Sequence, residues 1–150
     1  MGKLHRADIE IEAPAERVWE LLTDLEGYAR WNPFTPRVEC DRVVGHPVLL
    51  HVQMRPGKIR LQPETLLRWE PGVELRWGLI VHPWVFAGER WQRVDVLGPG
   101  RCRYSTGERF VGAFAWVVDL FYGRAVERGF EAVAVGLRDA CEQAEPGGAQ

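Results

Sequence analysis

Lysine is nearly absent: of 19 basic residues only Lys3 and Lys58 are lysines, and against 21 acidic residues they leave a formal net charge of −2. That balance gives no electrostatic reason to expect a polyanionic partner, so no nucleic-acid partner is expected. Cysteine is scarce too. Cys40, Cys102 and Cys141 are odd in number and far apart, and no basic, apolar, small-residue leader pattern precedes Ile9; a reduced, cytoplasmic protein is expected. No apolar run approaches the roughly 18 residues of a membrane span, so no membrane insertion is expected. The four histidines (His5, His46, His51, His82) form no HxH, HxxH or HExxH pair and no CxxC exists, which argues against a metal site. The one serine, Ser105, lies outside any GxSxG elbow, and no GxGxxG or GxxxxGK[ST] loop is present. Serine hydrolysis and nucleotide cofactors are thereby disfavoured, and no cofactor is expected.

What is present reads as one domain over residues 1–144 with a disordered tail at 145–150. His5 to Ile11 alternate as a half-buried strand. Pro14 and Glu16 open a short helix to about Asp24, with Val18, Leu21, Leu22 and Leu25 at helical spacing. The aromatic segment from Tyr28 to Phe34 should fold back onto the core, with Asn32 before Pro33 satisfying local backbone groups.

From Pro36 to Gly112 the period is two. The turns at 55–58, 70–73 and 98–101 each carry Pro-Gly, as type II turns demand. Because such turns fit hairpin twist poorly, slightly longer connections are expected around them. The apolar face is read as Val48, Leu50, Val52 and Met54, then Ile59, Leu61, Thr65, Leu67 and Trp69, then Val73, Leu75, Trp77, Leu79 and Val81. On the last strand Cys102, Tyr104, Thr106, Glu108 and Phe110 face inward, and the arginine side faces solvent. After Gly112 helical spacing runs for about 30 residues through Phe130, Val133, Leu137 and Cys141, with Gly123 and Gly129 as candidate kinks. Strands segregated from helices give an α+β fold, a seven-stranded curved antiparallel sheet wrapped on a long C-terminal helix.

The opening from Ile9 to Trp19, the Trp31-Asn32-Pro33-Phe34 corner, Pro71-Gly72 before Leu75 and Trp77, the run Gly107 to Gly112, and Gly129-Phe130 with Leu137 occur in the order that resembles the START-like (SRPBCC) superfamily, in its small bacterial polyketide cyclase/dehydrase branch. The resemblance covers nearly the whole chain. It implies a helix-grip fold and a cavity between sheet and long helix, and by itself no particular chemistry. Relatives often carry a histidine on the sixth strand where this chain has Glu89.

Alternation places Arg42, Thr65, Glu89, Arg93, Tyr104 and Glu108 inward, where unpaired charges must find partners or a polar ligand. Strand six has no clean apolar side; Trp91 is placed inward on the resemblance. Expected cavity residues are Trp77, Trp84, Phe86, Trp91, Tyr104, Phe110 and Phe130. Three functions compete. The first is a carrier or sensor of a hydrophobic or aromatic small molecule. The second is a polyketide cyclase, aromatase or dehydratase using Glu108, Glu89, Arg93 or Tyr104. The third is a protein-interaction domain, or a homodimer, through a patch such as Phe114, Trp116 and Phe121. Arg93 is the expected partner of Glu108.

Overall fold

The computed structural model describes residues 2–82 and 84–148. Strand β1 (Lys3–Ile11) is followed by helix α1 (Ala15–Thr23) and a 3₁₀ segment (Leu25–Arg30). Strands β2 (Arg37–Cys40), β3 (Pro47–Arg55), β4 (Lys58–Glu70), β5 (Glu74–His82), β6 (Phe86–Gly98) and β7 (Arg101–Val111) follow, then helix α2 (Ala115–Gly148). All seven strands form one antiparallel sheet in the order β1-β7-β6-β5-β4-β3-β2, with α2 across its concave face. The expected tail from 145 falls on the last described turn of α2, and residues 149–150 lie outside the described residues.

Local chemistry explains the elements. Pro14 is the N-cap of α1, with Glu16 in its first turn, and Ala15, Val18, Trp19 and Leu22 bury one face. Tyr28, fully buried, donates its hydroxyl to the Leu22 carbonyl at 2.6 Å and ties the 3₁₀ segment to α1. At the corner that follows, Asn32 Oδ1 accepts from the backbone N–H of Phe34 (3.1 Å) and Thr35 (2.8 Å), the Asx geometry that an Asn-Pro pair predicts.

Glu70 pairs with Glu74 across a three-residue connection, as expected, but the other two Pro-Gly hairpins are tighter than the sequence suggested. Arg55 pairs with Lys58 and Gly98 with Arg101, so two residues suffice at each turn, and register shifts at Val52/Arg55 and Val96/Gly98 absorb the twist mismatch. Gly57 and Gly72 take positive φ as expected, whereas Gly100 does not. On β7 the outer side is only partly solvated: Ser105 is buried against Asp8 at 2.5 Å, and Gly107 lies beneath the Trp91 ring.

Neither Gly123 nor Gly129 breaks α2, which runs unbroken from Ala115 to Gly148. Its glycines serve close approach instead. A Cβ at Gly129 would stand 2.3 Å from the Phe34 ring, and one at Gly136 would stand 2.0 Å from the Trp31 carbonyl oxygen. Helix propensity alone says that Gly136→Ala should stabilise by about 1 kcal/mol. Backbone contact reverses that sign, so Gly136→Ala should destabilise by about 1–3 kcal/mol, the range of overpacked cores. Urea midpoints of the two proteins check this; a more stable variant would contradict the tight helix–corner contact.

Candidate functional site

The sheet is continuous at one end and split at the other. β4 pairs with β5 only where Thr65–Glu70 meet Glu74–Gly78, so residues 58–64 and 79–82 have no partner across this gap. Proline contributes to the split. The Leu66 N–H and C=O both bond the β3 side, through His46 and Gly45, and backbone direction alternates along a strand. Pro63 therefore turns toward β5, where it has no N–H to donate.

Behind the gap lies a cavity of about 360 Å³, walled by Met54, Leu79, Phe86, Phe110 and by Val118, Tyr122 and Val126 of α2. Arg60 stands at its rim, its guanidinium 5.4 Å from the centre of the Tyr122 ring. Glu64 and Glu108 are its acidic groups. Further in, a space of about 30 Å³ is lined by Thr35, Trp77, Arg90 and Phe130, with Glu64 and Glu108 common to both. That space fits one water or one ligand oxygen.

Electrostatics divide the two carboxyls. Glu64 is 7% exposed, and among the described residues its only side-chain hydrogen bond comes from Gln62 Nε2 at 2.5 Å. Burial, and then the charge of Glu108, push its pKa up to about 8. Glu108 is half-buried; burial raises it to about 6, against the lowering charges of Arg90 and His5. Near pH 7 the cavity therefore holds one protonated carboxyl, a donor, and one largely ionised carboxyl, an acceptor. Arg90 faces Glu108 across the β6–β7 ladder, yet its Nε donates to Thr106 Oγ1 at 3.3 Å. Its guanidinium lies 4.8 Å from the Phe130 ring centre and 5.8 Å from that of Trp77. Glu64 Oε1, Arg90 Nη2, Trp77 Nε1 and Thr35 Oγ1 are buried around the inner space without a hydrogen-bond partner among the described residues. Buried polar atoms in that state favour whatever supplies the missing bonds.

The structure sorts the expected site residues. Glu108, Phe86 and Phe110 line the main cavity, and Trp77 and Phe130 line the inner space. Tyr104 points inward but is sealed in the core, donating its hydroxyl to Gln92 Oε1 at 2.6 Å. Strand β6 corrects the reading of Glu89, Trp91 and Arg93, because Arg90, Gln92 and Val94 are its buried set. Trp91 lies on the convex face, its ring between the guanidinium groups of Arg6 (5.4 Å) and Arg93 (4.8 Å). A tryptophan there is held by stacking with cations rather than by the core. Arg93 bonds Glu74 at 2.6 Å and does not pair with Glu108. Glu89 is on the convex side near Arg76. Trp84, 81% exposed, stands in the β5–β6 loop outside the cavity. Arg42 reaches the Thr23 carbonyl and Glu26, and Thr65 is exposed.

Glu64 and Arg90 were missed. A bulge between Leu66 and Arg68 reverses the faces of β4, so Gln62, Glu64 and Leu66 point in while Ile59, Leu61 and Thr65 point out. Only Trp69, beyond the bulge and opposite Leu75, keeps its expected side.

Comparison with known proteins agrees with this architecture. The family described as "Polyketide cyclase / dehydrase and lipid transport" matches residues 5–142. Among solved structures, the ZhuI aromatase/cyclase from Streptomyces sp. R1128 superposes with a TM-score of 0.76 at 23% identity over 95% of each chain. A START superfamily protein from Mycobacterium smegmatis gives 0.69 at 16% identity, over 94% of this chain and 98% of its own. Norcoclaurine synthase from Thalictrum flavum, in complex with dopamine and hydroxybenzaldehyde, gives 0.67 at 15%, over 95% and 88%. No curated protein matches the sequence. At these identities the structural likeness shows the helix-grip fold.

Proposed function

The chain belongs to the polyketide cyclase / dehydrase and lipid transport family, and from that premise we propose that it binds an uncharged, ring-bearing hydrophobic small molecule whose keto or hydroxyl end sits between Glu64, Glu108 and Arg90. The observation that carries this reading is the cavity of about 360 Å³, apolar in its walls and polar at its inner end. Its size and lining are those of a small-molecule site. A protonated Glu64 donates to a ligand oxygen, the free Arg90 Nη2 and Trp77 Nε1 do the same from the inner side, and the phenyl rings of Phe86 and Phe110 cover the flat part.

Calorimetric titration at pH 7 with neutral aromatic ketones and phenols tests the proposal. Val126→Trp fills the cavity from α2 without adding charge. Wild type should bind with a Kd on the order of micromolar, and the variant at least about tenfold more weakly. Equal affinity in both proteins, or none in either, contradicts the reading.

The unequal carboxyls favour a second reading, cyclase- or dehydratase-type acid–base chemistry. Glu108 as carboxylate takes a proton from the carbon next to a ligand carbonyl, while Glu64 as acid gives one to the departing hydroxyl, which leaves as water. One proton is taken and one given, so the pair returns to its starting charge by exchanging a proton. On this reading turnover is bell-shaped in pH, with limbs near 6, where Glu108 ionises, and near 8, where Glu64 does. Glu108→Gln and Glu64→Gln each retain ligand binding and lose turnover, by about 10²-fold or more. Turnover unchanged in both variants excludes these two groups.

A further inference from the structure

Among the described residues nineteen large hydrophobics are exposed, and twelve of them fall within residues 59–61, 79–85 and 114–122. These three segments border the cavity mouth, which Leu61, Leu79 and Tyr122 line. The last two segments are fixed as one rim: the Ala113 N–H donates to the Trp84 carbonyl (2.7 Å) and the Phe114 N–H to the Val85 carbonyl (2.9 Å). Trp84, Trp116, Leu120 and Phe121 are 62–81% exposed. Trp84 stands between β5 and β6, and the other three stand on the first turns of α2.

Charge is distributed with the same bias. Eleven arginines elsewhere are in ion pairs. Of the eight bases that form no ion pair among the described residues, five are exposed on two neighbouring elements, Arg55, Lys58 and Arg60 on the β3–β4 hairpin and Arg124 and Arg128 on α2; the others are Lys3 on β1, the buried Arg90 and Arg109 on β7. The two groups adjoin. Arg60 lies over Tyr122, and Pro56 shares a surface depression with Arg128. The acidic residues of this stretch of α2, Asp119 and Glu127, both lie against the ring nitrogens of His5, at 2.5 and 2.8 Å, and one imidazole can balance at most one of the two charges, which leaves the bases in excess. Residues 55–63 and 79–85 contain no acid at all. A chain of net charge −2 thus presents a basic, aromatic face at its cavity mouth.

We propose that this face docks on an anionic lipid bilayer, with Trp84, Trp116 and Phe121 entering the boundary between headgroups and acyl chains and the five bases pairing with lipid phosphates. Among the described residues no helix is long and apolar enough to cross a membrane, and the contact proposed is a peripheral one. Tryptophan and phenylalanine beside arginine and lysine are the residue types that anchor proteins at that boundary. A second copy of the chain fits less well, because a two-fold interface would set the same unpaired bases against one another. Docking in this orientation would turn the mouth toward the bilayer, so an apolar ligand would pass between cavity and lipid without crossing water.

Co-sedimentation with phosphatidylcholine vesicles containing roughly 30% phosphatidylglycerol, at about 0.1 M salt, tests the proposal. Wild type should be retained at least about tenfold better than on pure phosphatidylcholine. Lys58→Glu/Arg124→Glu/Arg128→Glu should lose that retention, as should Trp84→Ser/Trp116→Ser/Phe121→Ser, with thermal midpoints close to wild type because all six sites are exposed. Lipids brominated on the acyl chain should quench the tryptophan emission of wild type more than that of a Trp84→Phe/Trp116→Phe protein. No retention on anionic vesicles, retention unchanged in both triple variants, or retention without acyl-chain quenching would overturn the proposal. So would a wild-type dimer that the tryptophan-to-serine variant converts to monomer, which would assign the face to a second copy.

Discussion

Glu64→Gln should make the protein more stable at pH 7, by on the order of 3 kcal/mol, although it alters a buried polar residue. The folded state holds the Glu64 proton far more tightly than the unfolded chain does, with a pKa of about 8 against the ordinary 4.5. As pH rises above 4.5 the unfolded chain releases this proton first, so the folded state loses ground continuously until about pH 8. Glutamine keeps the acceptor for Gln62 Nε2 and has no proton to lose. The difference between the proteins should therefore be small at pH 4.5, grow through pH 6 to 7, and level off above pH 8. Urea unfolding at several pH values checks it, and a variant less stable than wild type at pH 7 would mean that Glu64 is ionised and paired.

Glu74→Gln should show the opposite signature, losing about 2–3 kcal/mol at pH 7. Its carboxylate is 1% exposed and meets Arg93 at 2.6 Å, Arg76 at 2.9 Å and Arg68 at 3.6 Å. Burial pushes this carboxyl up, but the hydrogen bonds and charges of Arg93 and Arg76 outweigh it and hold the group below its ordinary value. Breaking a buried pair typically costs 3–5 kcal/mol, and partial exposure of the three arginines lowers that figure here. Because the folded pKa is depressed, the stabilisation is present above the ordinary carboxylate value and is lost as pH falls below it through the lower folded value. Glu108→Gln, by contrast, should be neutral or mildly stabilising at pH 7, since burial raises Glu108 to about 6 despite the charge of Arg90, and among the described residues no arginine hydrogen-bonds it as Arg93 does Glu74. If Glu108→Gln and Glu74→Gln destabilise equally at pH 7, the cavity carboxyl is part of a scaffold.

The sheet, the two helices and the Asn32 corner were legible because each rests on short-range chemistry: alternation, helical spacing, Pro-Gly turns and an Asx turn. The inward face of β7 was legible for the same reason, since Cys102, Tyr104, Thr106 and Phe110 are buried and Glu108 is half-buried among them. Facing on β4 and β6 was not. One extra residue between Leu66 and Arg68 moved Glu64 into the cavity and Leu61 to its rim, and alternation carries no mark of where a bulge falls. On β6, where neither side is cleanly apolar, Trp91 was placed inward on the family resemblance, but two flanking arginines cover its ring on the convex face. The buried Arg90 was concealed by the converse. Arginine is read as solvent-facing, and only the rings of Trp77 and Phe130, brought together from β5 and α2, supply the environment that holds it inside.

The most direct test of the cavity is a carbon-detected NMR titration of the glutamate side-chain carboxyls, alone and saturated with a neutral aromatic ketone. Free protein should show Glu64 titrating near 8 and Glu108 near 6. Both should move further up when the ligand is bound, because an apolar body over the carboxyls removes more solvent from the charged forms. Two carboxyls that titrate near 4.5, unmoved by the ligand, would contradict the account.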